Sequence, residues 1–366
     1  MIDLAQLPVL GICGFSGAGK TTLLLDLVRL LARRGLRTLV IKHDAHGLDV
    51  DRRGKDTQRA FAAGADVLAR DHTQSFTRSH DKDTEPLAWV LWRQSTNYDA
   101  ILVEGHKSTP LPRRIWLRRD DNDGPPSNFP AVDLDLGRKV DRLALAWPLV
   151  ERQIAEAYAR TPVYAGILIG GRSTRMGCAK HLLRLRGQTW IEHIAMATAP
   201  LVAETVVLGS GMLPQSLGHL MRLPDAPDHQ GPLAGIVAAM RWQPRARWLF
   251  AACDTPLLNH DALTWIVAQG CPGVWAVLPR RRAESPPEPF PGLYDFRALS
   301  ALEDTHGPSH LAGHPAALTP TIPARLRAAW RNLNTPRAAK SVSTSVTTAV
   351  GGRQIRCRPC GGSEKE

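Results

Sequence analysis

The chain of 366 residues lacks any uninterrupted apolar run long enough to span a bilayer. Its first residues, MIDLAQLPVLG, carry Asp3 where a secretory signal would be basic. The lack of such a run argues against a membrane-spanning protein, and the lack of a basic start argues against a secreted one. We therefore expect a cytoplasmic protein with no membrane partner.

Cysteine is also scarce, with six in the chain. Four of these lie singly in or beside apolar or glycine-rich segments, namely Cys13, Cys178, Cys253 and Cys271. Such isolated cysteines are typical of reduced residues in cytosolic enzymes. Only Cys357 and Cys360 have metal-like spacing, and no second ligand pair accompanies them. Residues 339–366, which contain this pair, have the composition of a disordered tail, and we assign them no part in the mechanism.

Acidic residues are too few to balance the basic ones, so that the net charge is +12. This charge is compatible with nucleic acid, phosphorylated metabolites or an acidic partner. Because arginines are scattered through both halves, we expect phosphorylated metabolites and no nucleic acid. The length and the hydrophobic fraction of 43% suffice for two cores of ordinary size.

A phosphate-binding pattern lies near the start of the chain. The pattern G-x-x-x-x-G-K-[ST] is one in which backbone N–H groups surround phosphate oxygens while the lysine and the hydroxyl serve the β/γ-phosphates and Mg²⁺. An apolar strand at 8–13 precedes it, and leucines at helical spacing follow it, so that a helix N-terminus points at the anion. The predicted nucleotide-binding residues are Gly14, Ser16, Gly17, Ala18, Gly19, Lys20, Thr21 and Thr22.

The segment DAILVEGHK predicts a further strand of the same sheet. It places Glu104 just beyond the hydrophobic run, in the position of a Walker B carboxylate. Glu104 is expected to hold Mg²⁺ through water or to polarise an attacking water. The alternative is a charge that merely ends the strand.

A second glycine-rich segment, GGRSTRMGCAK, follows an apolar strand at 164–169. Gly170 and Gly171 permit close approach of the backbone to a ligand. Three cations and one hydroxyl suit a triphosphate, namely Arg172, Arg175, Lys180 and Ser173. The alternative is a solvated basic loop.

Further downstream, a buried strand at 248–254 ends on Asp254. A carboxylate at this edge of a doubly wound sheet is placed to ligate an Mg²⁺ ion that bridges a triphosphate. Asp225, before Gly231, is a further nucleotide-binding candidate, whereas Asp228 is equally compatible with solvation of a turn. Asn332 and Asn334 lie two residues apart on an extended segment, so that both face one side, where they contact a polar substrate or cap a turn.

We expect the domain boundary at 160–162, where a helical pattern at 150–159 ends and a new strand begins at once. The predicted fold is α/β, with an N-terminal P-loop NTPase three-layer domain at 1–160 and a Rossmann-like nucleotidyltransferase domain at 163–338. Because the linker is short, we expect a docked or swivelling pair of domains.

The motifs GFSGAGKTTL, IKHDAH, DVDRRGKDTQR and ILVEGHK, in this order over about residues 8–119, resemble MobB, the molybdopterin-guanine dinucleotide biosynthesis adaptor. The resemblance implies a GTP-binding P-loop domain with weak GTPase activity. It also implies molybdenum-insertion proteins and molybdoenzyme apoproteins as partners.

The second half resembles MobA, the molybdenum cofactor guanylyltransferase, through GGRSTRMG, GPLAGI, CDTP and NLNTP over about residues 163–338. The resemblance implies transfer of GMP from GTP to Mo-molybdopterin with Mg²⁺. It further implies that Gly171, Arg175 and Lys180 contact GTP phosphates, that the segment before Gly231 contacts the guanine or ribose, and that Asp254 binds the metal.

Two other functions stay open at this point. One is a cytidylyltransferase acting on the same cofactor, against which the Gly170–Gly171 pair and GPLAGI argue. The other is a non-catalytic GTP-binding adaptor that delivers the cofactor, against which the presence of Lys180 and Asp254 argues.

Overall fold

Two sheets, one in each half of the chain, form the framework of the protein. The structure is a computed structural model that describes residues 2–42, 54–80, 85–106, 109–169 and 179–333. Helices cover both faces of each sheet, which confirms the predicted α/β class. Among the residues described, no helix has the length and apolar character needed to cross a bilayer.

The strands of the first half are β1 (Val9–Gly14), β2 (Thr38–Lys42), β3 (Val67–Arg70), β4 (Ser75–Arg78), β5 (Ala100–Glu104), β6 (Arg114–Leu117) and β7 (Leu134–Leu136). Its helices are α1 (Lys20–Arg33), α2 (Asp56–Ala62), α3 (Leu87–Gln94) and α4 (Arg142–Arg160).

The first sheet has the order β2-β5-β1-β6-β7, and every neighbouring pair in it is parallel. Strands β1 and β5 are buried along their whole length, as expected for central strands covered on both faces. Helices α1 and α4 pack on one face, whereas α3 and the N-terminal residues cover the other. Strands β3 and β4 form a separate hairpin.

The strands of the second half are β8 (Val163–Leu168), β9 (Arg184–Leu185), β10 (Gln188–Thr189), β11 (Glu204–Leu208), β12 (Met221–Leu223), β13 (Arg247–Ala252), β14 (Ala276–Val277), β15 (Gly292–Tyr294) and β16 (Ala317–Leu318). Its helices are α5 (Trp190–Thr198), α6 (Gly231–Trp242), α7 (His260–Ala268) and α8 (Ala298–Glu303).

The second sheet has the order β12-β11-β8-β13-β15-β14-β16. Strand β8 pairs in parallel with β11 on one side and with β13 on the other, whereas β15 runs antiparallel to β13. The chain therefore leaves β8 first toward β11 and later returns to β13. The crevice at the carboxyl ends of β8 and β13 is thus the switch point at which open α/β sheets bind ligands.

Helix α4 is longer than the helical pattern at 150–159 predicted. It begins at Arg142, where the Asp141 side chain accepts a hydrogen bond from the backbone N–H of Ala144 at 3.0 Å. Pro148 lies inside the helix and interrupts the apolar pattern, so that the sequence indicated only its second half. Helix α2 begins at Asp56.

Candidate active site

The loop between β1 and α1 has the backbone that a phosphate-binding loop requires. Gly14, Gly17 and Gly19 have φ values of 144°, 78° and 85°, a region that side-chain-bearing residues rarely adopt. A Cβ atom on Gly14 would lie 2.6 Å from the carbonyl oxygen of Leu117, the last residue of β6. Glycine is therefore required at position 14 by both conformation and space.

Lys20, Thr21 and Glu104 meet at the end of this loop. The Lys20 Nζ donates to the carbonyl oxygen of Phe15 at 2.8 Å, and the Thr21 hydroxyl lies 3.5 Å from Glu104 Oε1. Glu104 is 7% exposed and ends β5, the strand next to β1. The structure thus brings together the lysine, the hydroxyl and the carboxylate predicted from the sequence, while Ser16 and Thr22 lie exposed on the same loop and first turn.

The sequence analysis missed Arg142, which holds the phosphate loop from the first turn of α4. Its guanidinium donates to the carbonyl oxygens of Ala18 at 2.6 Å, Gly137 at 2.7 Å and Arg118 at 2.5 Å. Burial lowers the pKa of the Arg142 guanidinium, and the positive charge of Arg138 acts in the same direction. The aspartate before it, which caps α4, was the only local signal of a helix start at this position.

In the second half, Asp254 lies just beyond β13, at the switch-point edge of the sheet. Its Oδ2 atom accepts a hydrogen bond from Asn332 Nδ2 at 2.9 Å, and its carbonyl oxygen accepts one from the Leu333 N–H at 2.9 Å. Leu333 is buried against Leu185 and Trp190, which anchors this segment beside β13. The structure therefore joins two predicted site residues, Asp254 and Asn332, directly.

Lys180 lies close enough to Cys253 for its charge to act on the thiol. Burial and the Asp254 carboxylate raise the pKa of the Cys253 thiol, the positive charge of Lys180 lowers it, and the resulting pKa is about 12. Lys180 begins a short 3-10 helix whose next residue, His181, is buried with its Nε2 atom 2.8 Å from the carbonyl oxygen of Met212. The charges of Lys180 and Asp254 therefore both act on one buried thiol, which follows β13 directly.

The two aspartates before α6 differ in their surroundings. Asp225 is exposed beside the start of α6, with its Oδ1 atom 3.5 Å from the position that a Cβ atom on Gly235 would occupy. Asp228 instead forms a bidentate ion pair with Arg241, at 2.9 and 2.8 Å. The hydrogen bonds from Arg241 lower the pKa of Asp228. Asp228 is thus engaged by the protein itself, and Gly231 is exposed at the first position of α6 with φ of 60°.

Several predicted site residues lie outside the described residues. These are Gly170, Gly171, Arg172, Ser173, Arg175 and Asn334. The same is true of Cys178 and of the tail that contains Cys357 and Cys360.

The donor atoms at both edges fit Mg²⁺, which is usually held by one or two carboxylates or hydroxyls together with substrate phosphates and waters. Asp254 supplies such a carboxylate in the second half, and Thr21 with Glu104 supplies a hydroxyl and a carboxylate in the first. Within the described ranges, no group of three or more His, Cys, Asp or Glu side chains forms an all-protein metal cage. The arrangement therefore suits a metal that arrives with a nucleotide.

These features define a class of protein with two nucleotide-handling edges, one on a P-loop domain and one on a nucleotidyltransferase domain. Comparison with known protein families supports this class for both halves of the chain. The family described as Molybdopterin guanine dinucleotide synthesis protein B matches residues 9–131, and the MobA-like NTP transferase domain matches residues 165–348. The chain belongs to the MobA-like NTP transferase family and carries a MobB domain in front of the transferase domain.

Individual relatives support both halves. The Molybdopterin-guanine dinucleotide biosynthesis adapter protein of Haemophilus influenzae is 38% identical over 130 residues, which cover 35% of this chain and 71% of that protein. The adapter protein of Escherichia coli is 35% identical over 122 residues, covering 32% and 70%. The Probable molybdenum cofactor guanylyltransferase of Bacillus cereus is 34% identical over 122 residues, covering 32% of this chain and 61% of its own length.

Two solved structures are each similar to a part of the chain. Molybdopterin-guanine dinucleotide biosynthesis protein A from Archaeoglobus fulgidus is 22% identical with a TM-score of 0.41, covering 50% of this chain and 98% of its own. The Bacillus subtilis MobB structure is 22% identical with a TM-score of 0.33, covering 40% and 97%. The protein is accordingly a nucleotidyltransferase of molybdenum cofactor biosynthesis fused to a MobB domain.

Proposed function

We propose that the second domain transfers the GMP part of GTP to Mo-molybdopterin, giving molybdopterin guanine dinucleotide and pyrophosphate, and that the first domain is its GTP-binding adaptor. The observation that carries the proposal is the Asp254 carboxylate, held by Asn332 at the carboxyl end of β13. Strand β8, its neighbour in the sheet, leads directly into the glycine-rich residues 170–178. This is the edge at which a triphosphate meets a carboxylate and cations in a doubly wound fold.

In the proposed reaction, an oxygen of the terminal phosphate of Mo-molybdopterin attacks the α-phosphorus of GTP in line. The new bond joins that oxygen to the α-phosphorus, and the bond from the α-phosphorus to the oxygen that bridges to the β-phosphate breaks. Pyrophosphate leaves with the bonding electrons. Such chemistry depends mainly on positioning and charge neutralisation.

We assign the charge neutralisation to Arg175 and Lys180, and the contacts to the remaining nucleotide atoms to residues 170–173, Asp225 and Gly231. When bound, Mg²⁺ supplies positive charge to the triphosphate, with Asp254 as its protein ligand in this domain and Thr21 in the P-loop domain. Asn332 orients the Asp254 carboxylate. We assign the contacts to molybdopterin to Asn332 and Asn334.

In the P-loop domain, residues 14–22 bind GTP phosphates, and Glu104 assists a slow hydrolysis. The partners of the P-loop domain are proposed to be molybdenum-insertion proteins and molybdoenzyme apoproteins. We place the functional division at 1–160 and 163–338, in agreement with α4 ending at Arg160 and β8 beginning at Val163.

The test is a nucleotide-selection assay on the full chain. Purified protein is incubated with Mo-molybdopterin, Mg²⁺ and GTP, CTP or ATP in separate reactions, and the dinucleotide product is identified by mass. We expect the guanine dinucleotide to form and GTP to outcompete CTP by a wide margin. Equal or better use of CTP would reassign the protein as a cytidylyltransferase, and failure with all three would favour the non-catalytic adaptor.

A further inference from the structure

Three buried charged residues link the two halves of the chain, and we call them the docking cluster: Asp99, Asp295 and Arg297. Arg297 forms an ion pair with Asp99 of the first half, and its side chain is 6% exposed against 1% for Asp99. The same guanidinium donates to both carboxylate oxygens of Asp295, at 2.6 and 2.9 Å. One cation thus joins a carboxylate from each domain away from solvent.

Asp99 is also hydrogen-bonded by backbone groups of both domains. Its Oδ2 atom accepts from the Arg37 N–H at 2.8 Å, within its own domain, and its Oδ1 atom accepts from the Gly273 N–H at 3.1 Å, in the other. Burial raises the pKa of Asp99, while the positive charge of Arg297 opposes this change. A buried charge is tolerated where its hydrogen bonds are complete, and here they are completed only when the domains are in contact.

Contacts around the docking cluster extend the same interface. Arg245 of the second domain stacks on Trp92 of the first, with its guanidinium carbon 3.7 Å from the ring centroid, and donates to Ser95 Oγ at 2.9 Å. Burial lowers the pKa of Arg245 to about 10. Beside it, Arg247 stacks on Tyr158 near the end of α4, at 4.3 Å.

The polar contacts of this interface lie near the amino ends of parallel strands. Asp99 directly precedes β5, and Arg245 precedes β13. Asp295 follows β15, whose antiparallel pairing of Tyr294 with Trp248 returns the chain to the start of β13. A cleft of about 1160 Å³ at this junction, lined by Trp89, Trp92 and other residues of both domains, therefore lies away from both nucleotide edges.

We infer that the docking cluster is a built interaction surface that holds the P-loop domain and the transferase domain of one chain together by their amino-end edges, so that their nucleotide edges face away from each other. The P-loop edge and the Asp254 edge then cannot share residues within one chain. The P-loop edge is consequently left open to a separate protein partner. This inference rests on the interface alone and holds whether or not the proposed substrates are correct.

Hydrogen exchange of the full chain, followed by mass spectrometry, tests the docking. In Asp99→Ala, the peptide that contains Gly273 should exchange at least about tenfold faster, because the amide of Gly273 loses its acceptor and the interface opens. Arg297→Gln should have the same effect, and the double variant should add little to either single one. Asp26→Asn, which removes a surface ion pair with Arg29, is the matched control and should leave this peptide unchanged.

A purely local role of Asp99 would accelerate exchange only in the peptide that contains Arg37, and that result would overturn the inference. If the buried substitutions prevent folding, Arg245→Met removes a partly exposed contact of the same interface instead. It should raise exchange at Gly273 to a smaller extent. An unchanged Gly273 peptide in a folded Arg245→Met protein, together with unfolded Asp99 variants, would also count against docking.

Distances between spin labels test the orientation. In a background in which Cys178, Cys271, Cys357 and Cys360 are replaced by serine, labels at Asn97→Cys and Pro244→Cys probe the amino-end edges. Both positions border one small cleft. Labels at Asn122→Cys and Met212→Cys probe the exposed carboxyl-end loops of the two sheets. The labels of the first pair should lie within about 20 Å of each other. The labels of the second pair should lie on the order of 40 Å apart, because the length of one strand in each domain separates them and a strand rises roughly 3.3 Å per residue. A second distance shorter than the first would overturn the inference.

Discussion

Asn332 Nδ2 donates a hydrogen bond to Asp254 Oδ2 at 2.9 Å, across 78 residues of the chain. The amide fixes one oxygen of the carboxylate and leaves its negative charge intact. A carboxylate with a fixed orientation presents its remaining lone pairs in a defined direction, which is what a metal-bound triphosphate requires. Asn332 therefore acts on the proposed reaction in part through Asp254.

Replacement of Asn332 should test this relationship. Asn332→Ala is expected to lower kcat for dinucleotide formation by about tenfold, since a hydrogen bond to a charged group is worth roughly 1.5–3 kcal/mol. The variant should also need a higher Mg²⁺ concentration for half-maximal activity. Loss of a contact between Asn332 and molybdopterin would not by itself produce this second effect. Steady-state assays over a range of Mg²⁺ concentrations measure both, with Asn122→Ala in the other domain as the control. An unchanged Mg²⁺ dependence would separate Asn332 from the carboxylate.

The charge of Asp254 should be indispensable for transfer. Asp254→Asn keeps the shape of the side chain but removes the charge that is proposed to hold Mg²⁺, so that nucleotidyl transfer should fall by about 100-fold or more. Nucleotide binding by the P-loop domain should persist. Product formation and nucleotide binding are measured on the same preparation, with Asp261→Asn on the first turn of α7 as the control. Near-normal transfer would place the metal elsewhere.

Arg142 should control the P-loop without touching the transferase edge. Arg142→Lys cannot reach three carbonyl oxygens at once, because lysine presents a single point charge in place of a planar fork. We expect GTP affinity of the P-loop domain to fall by about tenfold. Binding is compared with that of Arg152→Lys, an exposed position on the same helix. Equal affinities of the two variants would show that the loop keeps its shape without this anchor.

Lys20 should separate the functions of the two domains. Lys20→Ala removes the cation that reaches the β/γ-phosphates, so that GTP binding and hydrolysis in the P-loop domain should be lost. Transfer to free Mo-molybdopterin should survive, and a deficit should appear when an apo-molybdoenzyme is reconstituted. Both measurements are made against Arg33→Ala, at the far end of α1. Loss of transfer with free substrate in a well-folded Lys20→Ala protein would make the P-loop part of the catalytic site.

Much of the candidate site was predictable because its residues belong to local patterns. The glycines of the P-loop, Lys20 and Thr21 are contiguous, and Glu104 and Asp254 each follow an apolar strand. A strand buried on both faces must be apolar throughout and must end where polar residues begin, so that its carboxyl end can be read from the sequence. The family motifs were recognisable for the same reason.

Other relationships could not be predicted, because their partners are far apart in the chain. Arg142 donates to Ala18 across 124 residues, and Arg297 meets Asp99 across 198. No local periodicity signals such a pair, and each of these arginines resembles any other surface cation of a basic protein in the sequence. The start of α4 was missed for a different reason. Pro148 interrupts the helical pattern in the sequence, although the Asp141 cap stabilises a helix that begins before it.

The α/β class, the two candidate nucleotide edges and the family to which each half belongs follow from the sequence, because these depend on strand patterns and on contiguous glycine, lysine and aspartate motifs. The hydrogen bond from Asn332 to Asp254, the ion pair between Asp228 and Arg241, and the meeting of the two domains at Asp99 and Arg297 emerge only in the folded protein. Those outcomes depend on which hydrogen-bond donors and acceptors are brought together when the sheets are covered. A buried charge is costly unless it is paired, and the residues that pair with it are distant in the sequence and adjacent only in the folded chain.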